Sequence, residues 1–139
     1  MEKSKLVKVL LVVSGITGIG IGGALLFTPV AFEASAGINI GNDINLLSEV
    51  RAPGGTLLVA GVLIIIGAFI SRMAYTSSLL SSLFYLSYGF SRIFSMVMDG
   101  VPSESLVIAT IAEIVIGLLS LFVFINFKNG RNIIIKRND

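Results

Sequence analysis

The sequence predicts an all-α integral membrane protein, an up-down bundle of four transmembrane helices. Its residues are 55% hydrophobic and only 13% charged, and the mean hydropathy is +0.97. Soluble domains are about half apolar and about a quarter charged. Four apolar segments are each long enough to cross a bilayer, at approximately 6-28, 50-70, 75-98 and 103-127. Together with one modest loop they use the whole length, so we expect a single transmembrane domain over 1-139.

Three residue types that carry much of protein chemistry are absent from this chain: cysteine, histidine and tryptophan. Their absence excludes disulfides, thiol redox chemistry, zinc sites built on Cys or His, and histidine-ligated haem. The pI near 9.2 is typical of nucleic-acid-binding proteins, but most basic residues lie at span ends, where they act as topology signals. We therefore expect no metal, no cofactor and no nucleic-acid partner.

The first span carries a ridge of small residues, Ser14, Gly18 and Gly22, spaced four apart. Such a ridge lets another helix approach closely, so we favour tight packing, with a homo-oligomer contact as the alternative. A signal peptide is the rival interpretation, because lysines precede the apolar run and Ala34-Ser35-Ala36 resembles a cleavage site. The apolar run is too long for that, and we expect a span.

The loop at 29-47 contains Glu33 and Asp43 but no Lys or Arg, which places it outside the cytoplasm. Lysine and arginine otherwise concentrate on one side of the predicted membrane, and both termini are therefore expected to be cytoplasmic. These basic residues are Lys3, Lys5, Lys8, Arg72, Lys128, Arg131, Lys136 and Arg137.

The start of the second span has two interpretations that the sequence leaves open. If Asn42 or Asp43 caps a helix formed before Pro53, Glu49 and Arg51 point to different faces. If the helix starts at Pro53, the preceding segment is extended and the two charges share a side.

The third span has one polar stripe along an otherwise apolar helix, because its polar residues recur at steps of four and three. The stripe consists of Ser81, Tyr85, Tyr88, Arg92, Ser95 and Asp99. Arg92 lies roughly 10 Å inward from Asp99, where a lone guanidinium costs about 2.5 to 3.5 kcal/mol. It therefore needs a partner, and Glu113 on the fourth span is the best candidate, with Glu49 as the alternative if the start of the second span lies closer. We expect Ser103 to cap the fourth span.

The run NLLSEVRAPGG contains the most specific pattern in the chain, Ser48, Glu49, Arg51, Gly54 and Gly55. Together with the Arg92 stripe, Asp99-Gly100 and Glu113, it resembles a bacterial membrane family, the domain-of-unknown-function family 4345. That family is similar to the DoxX-like four-helix membrane proteins. The resemblance covers nearly the whole chain and implies a multi-pass protein of the bacterial cytoplasmic (inner) membrane. It implies no activity and no catalytic residue.

Two arginines and three carboxylates are more charge than so small a bundle needs for helix register, and they gather in the outer half. We expect an outer-leaflet-facing pocket that binds an anionic or carbonyl-bearing lipophilic molecule of lipid or quinone type. Its lining would be Glu49, Arg51, Tyr88, Arg92, Asp99 and Glu113.

Two other function classes remain open. The first is a structural or assembly subunit whose buried charges only fix helix packing. The second is an isomerase-like membrane enzyme with Glu113 as general acid or base, which is the weakest because no histidine or cysteine is present. Membrane lipids are the expected surroundings in every case.

Overall fold

The computed structural model describes the backbone of residues 2–136 and the side chains of residues 5–127. Within these residues all regular structure is helical, which confirms the predicted all-α class. The helices are α1 (Glu2–Phe27), α2 (Pro29–Ser35), α3 (Ile44–Phe69), α4 (Ala74–Asp99) and α5 (Glu104–Lys136). The four long ones pack side by side, and α2 is a short connection that contacts α1 and α3.

Three of the described helices are long and apolar enough to cross a membrane: Lys5–Phe27, Ile44–Phe69 and Glu104–Phe127. These three indicate a multi-pass membrane protein. The sequence predicted four such spans, and α4 does not meet the same standard of hydropathy. The physical reason is its composition, since its buried face consists mostly of serines such as Ser77, Ser78, Ser81 and Ser82.

A short helix occupies the first part of the predicted loop at 29-47. It ends in a Schellman turn, in which Ile38 N–H donates to the Glu33 carbonyl (2.9 Å) and Gly37 N–H donates to the Ala34 carbonyl (3.0 Å). Gly37 has a φ of +82°, a conformation that side chains with a Cβ disfavour. The turn ends α2 and redirects the chain towards α3.

The second long segment begins at Ile44, earlier than the predicted start at residue 50. Asp43 caps it, because its Oδ1 accepts hydrogen bonds from the backbone N–H groups of Asn45 (2.8 Å) and Leu46 (3.1 Å). Pro53 therefore lies inside the helix. Of the two interpretations left open, the helix that forms before Pro53 is the correct one.

Glycines bring the backbones of α1 and α3 into direct contact. A Cβ atom added to Gly18 would lie 3.1 Å from the Gly61 Cα, and one added to Gly22 would lie 2.7 Å from the Gly54 carbonyl oxygen. The predicted ridge of small residues thus packs inside the chain, against α3. That copies of the chain associate stays a prediction, but Gly18 and Gly22 of this ridge are covered by α3.

Serine and tyrosine side chains of α4 connect it to its neighbours. Ser77 donates to the Leu63 carbonyl of α3 (2.9 Å), and Ser81 forms a hydrogen bond with Ser120 of α5 (2.8 Å). The buried Tyr85 hydroxyl donates to the Ser14 carbonyl of α1. The inner part of the predicted polar stripe therefore serves helix packing.

We predict that Gly22→Ala weakens the α1–α3 contact, because the added methyl group meets backbone atoms that cannot move aside. Overpacking of this kind costs about 1 to 3 kcal/mol, measurable as a lower unfolding midpoint in detergent. Gly20→Ala is the matched control on the same helix, since nothing lies within 4 Å of its added Cβ. Equal midpoints for the two variants would contradict the close approach.

Candidate functional site

A cavity of about 240 Å³ lies at the α2 end of the bundle, where α1 ends, α3 begins, α4 ends and α5 begins. Residues of all five helices line it. Its apolar wall includes Ile21, Leu25, Phe32, Leu57, Phe84 and Leu106. Its polar lining consists of Glu33, Ser35, Tyr85, Tyr88, Arg92, Ser105 and Glu113.

One ion pair joins α4 to α5 at this cavity. The Arg92 Nε donates to both carboxylate oxygens of Glu113, at 3.2 Å and 3.1 Å, as the sequence predicted. The Glu113 side chain is 13% exposed and that of Arg92 is 34% exposed. The pair of Arg92 and Glu113 is the one ion pair with a nitrogen–oxygen distance within 4 Å among the side chains of residues 5–127. Gly89 helps to bring the helices together, because an added Cβ would lie 2.6 Å from the Ile114 Cδ1.

The ion pair uses only one edge of the Arg92 guanidinium. Its two terminal amino groups donate no hydrogen bond to the part of the protein that the structure describes. The half-buried Tyr88 hydroxyl likewise has no hydrogen-bond partner among the described residues. A guanidinium carries five N–H donors in a fixed plane, so Glu113 orients Arg92 while four donors remain for an acceptor.

The segment after α2 is hydrogen-bonded to the residue before α5, beside the cavity. Ser103 Oγ donates to the Ala36 carbonyl (3.0 Å). This differs from the expected side-chain cap of α5. The Ser103 carbonyl accepts hydrogen bonds from the N–H groups of Leu106 and Val107, while its hydroxyl bonds to Ala36. Because Phe32 on α2 also lines the cavity, α2 closes part of this end of the bundle.

A protein-family model matches nearly the whole chain. The model described as "Domain of unknown function (DUF4345)" matches residues 6–124. The chain belongs to the DUF4345 family. Every residue that lines the cavity falls within the matched range. No similarity to a curated protein or to a solved structure was found.

Three of the six predicted pocket residues in this DUF4345 protein lie outside the cavity. Glu49 and Arg51 are exposed on α3, on different faces as the helix requires, and Arg51 borders a separate groove between α3 and α4. Asp99 is exposed at the end of α4 and accepts a hydrogen bond from the Ser95 hydroxyl (3.1 Å). The cavity brings together Tyr88, Arg92 and Glu113 (three of the six).

Sequence reasoning missed one charged residue of the cavity, Glu33. In the sequence Glu33 indicates only an acidic outer loop, because no helical periodicity connects a loop residue to the interior of the bundle. Its place depends on the fold of α2 and on the hydrogen bond between Ser103 and Ala36. Among the described residues no group of three or more Asp, Glu, Cys or His residues is arranged to hold a metal ion.

We predict that removing one member of the α4–α5 ion pair is worse than removing both. Arg92→Leu leaves the carboxylate unpaired, and Glu113→Leu leaves the guanidinium unpaired, whereas the double variant leaves neither. We expect each single substitution to lower the free energy of unfolding by more than an exposed ion pair contributes, about 0 to 1 kcal/mol. The decrease should be smaller than for a fully buried pair, about 3 to 5 kcal/mol. Unfolding in detergent, analysed as a double-mutant cycle, measures the coupling. A double variant less stable than either single one would disprove it.

Proposed function

We propose that this DUF4345 protein binds, in the cavity at the α2 end, the head group of a lipophilic molecule that is anionic or carries a carbonyl. The observation that supports this most is the state of Arg92. Glu113 holds its Nε, and its terminal amino groups have no acceptor among the described residues, beside a cavity of about 240 Å³. A preorganised guanidinium with free donors recognises an oxygen acceptor.

The size of the cavity restricts what can enter. Ligand pockets usually measure about 300 to 1,000 Å³, so about 240 Å³ accommodates a head group and leaves an apolar tail outside. The charge of the lining restricts the head group further. The ion pair is neutral in sum and Glu33 adds a negative charge, which favours a neutral carbonyl such as that of a quinone over a carboxylate or phosphate.

Side chains around Arg92 suit a ring with a carbonyl group. Phe32, Phe84 and Tyr88 supply aromatic surface, and the Tyr88 hydroxyl is a second donor without a protein partner among the described residues. Both Glu113 oxygens accept from Arg92, which supports a binding role for the pair more than acid–base chemistry.

We also propose that α4 is a fourth spanning helix, in a DoxX-like bundle in the bacterial cytoplasmic membrane with both termini in the cytoplasm. With 26 residues, α4 is about 39 Å long, more than the about 30 Å of a bilayer core. The Ser77, Ser78 and Ser81 hydroxyls bond to α3, to the α4 backbone and to α5, so these three polar groups need not contact lipid.

Charge distribution supports the orientation. Lys5, Lys8 and Arg72 lie at the end of the bundle opposite α2, where the Lys8 ammonium lies 4.8 Å from the centre of the Phe69 ring. Lysine and arginine concentrate on the cytoplasmic side of membrane proteins. The remaining basic residues of the prediction lie outside the described side chains: Lys3, Lys128, Arg131, Lys136 and Arg137.

We predict that a reporter fused after Ile40 is external, whereas reporters fused at Arg72 and at the C terminus are cytoplasmic. Paired reporters, one active only inside and one only outside the cytoplasm, measure each position. The reason is that four spans return the chain to its starting side. Opposite sides for Arg72 and the C terminus would show that α4 and α5 do not both cross, and a cytoplasmic Ile40 would overturn the orientation.

We predict that Arg92→Gln lowers the amount of lipophilic molecule that copurifies with the protein by about tenfold or more, since a charged hydrogen bond contributes about 1.5 to 3 kcal/mol. Mass spectrometry of extracts from equal amounts of folded protein measures this, and it identifies a quinone or lipid. Tyr88→Phe should cause a smaller loss. Arg72→Gln is the matched control, because it removes an exposed arginine at the other end of the bundle.

Two results would count against the proposal. If Arg92→Gln lowers the unfolding midpoint but leaves the copurifying molecules unchanged, the ion pair is structural, as the contact that it makes between α4 and α5 would also explain. If no molecule copurifies with the wild-type protein and none of a series of added quinones raises its unfolding midpoint, the binding role is wrong.

A further inference from the structure

A groove on the outside of the bundle runs between α3 and α4, with a volume of about 590 Å³. Arg51, Gly55, Val59 and Leu63 of α3 line it, spaced four residues apart and therefore in one row along the helix. The row is about 18 Å long. From α4, Leu80 and Phe84 form the opposite wall. Apart from Phe84, the groove shares no lining residue with the cavity that contains Arg92.

The cation at one end of this groove has no partner within the described part of the chain. Arg51 is exposed and makes no hydrogen bond or ion pair there, and Glu49 lies on a different face of the helix. It belongs to α3, one of the three helices apolar enough to cross a membrane, about 10 Å from the helix start. An arginine at such a position requires an acceptor, and the nearest source outside the protein is the lipid phosphate layer.

The rest of the groove suits a hydrocarbon chain. Val59 is 59% exposed and Leu63 is 40% exposed, so apolar surface faces outward, while Gly55 leaves a depression between the helices. A bilayer supplies molecules that match both features at once, a phosphate for a guanidinium and an acyl chain for an apolar channel. The positive charge of Arg51 favours a lipid with a net negative head group over a zwitterionic one.

We propose that the α3–α4 groove binds one anionic phospholipid, with its phosphate on Arg51 and one acyl chain along Gly55, Val59 and Leu63. The site is separate from the cavity of the proposed function, and it stands whether or not that cavity binds a ligand. The phospholipid holds the outer surfaces of α3 and α4 together where they face the membrane.

Native mass spectrometry of the full chain in detergent tests the site, with added phosphatidylglycerol or phosphatidylcholine of identical acyl chains. We expect the wild-type protein to retain phosphatidylglycerol in preference, and Arg51→Gln to weaken its binding by about tenfold or more, to the level of phosphatidylcholine. Arg72→Gln, the matched loss of an exposed arginine, should keep the preference. Val59→Trp should lower the binding of both lipids, because it fills the groove.

Several results would overturn the proposal: no preference for phosphatidylglycerol in the wild-type protein, an unchanged preference in Arg51→Gln, or unchanged lipid binding in Val59→Trp. If Val59→Trp does not fold, Leu63→Trp takes its place further along the same row. Arg92→Gln separates the two sites. A loss of phosphatidylglycerol in Arg92→Gln equal to that in Arg51→Gln would assign the lipid to the cavity and leave the groove empty.

Discussion

The close approach of α1 and α3 is the constraint on which the rest of the bundle depends. Gly18, Gly22, Gly54 and Gly61 place backbone against backbone, so these two helices form a pair with little freedom to rotate or slide. That pair carries almost no polar side chains on its inner surface. Apart from Ser14 of α1, the buried polar side chains of the described residues therefore belong to α4 and α5.

Arg51 and Arg92, the two arginines near the α2 end of the bundle, have different surroundings for a geometric reason. Arg92 lies on the face of α4 that meets α5, and Gly89 lets α5 come close enough for Glu113 to hold the guanidinium. Arg51 is exposed on α3 beside the groove between α3 and α4, where no carboxylate of the described chain reaches it. One guanidinium is thus fixed by the protein, and the other is left to the surroundings.

Sequence periodicity correctly predicted which residues share a face of a single helix. The steps of three and four along α4 identified the face that carries Tyr85 and Arg92, and burial cost identified Glu113 as the partner. It was less reliable at helix ends. The sequence allowed a start at Pro53, but the Asp43 carboxylate satisfies the first N–H groups of α3, and the helix continues through the proline. The sequence also predicted α4 as one of four apolar spans, but its serines make it less apolar than the other three helices, and Ser77 and Ser81 bond to neighbouring helices.

The sequence by itself determined the helical class, the membrane character and the Arg92–Glu113 pair, because these follow from local composition, from helical periodicity and from the cost of an unpaired charge. Only the tertiary structure decided that Glu33 lines the cavity while Arg51 does not. Helix rotation and the position of α2 depend on contacts between distant parts of the chain, such as Gly18 with Gly61 and Ser103 with Ala36. Such contacts leave no periodic signal in the segments that they join.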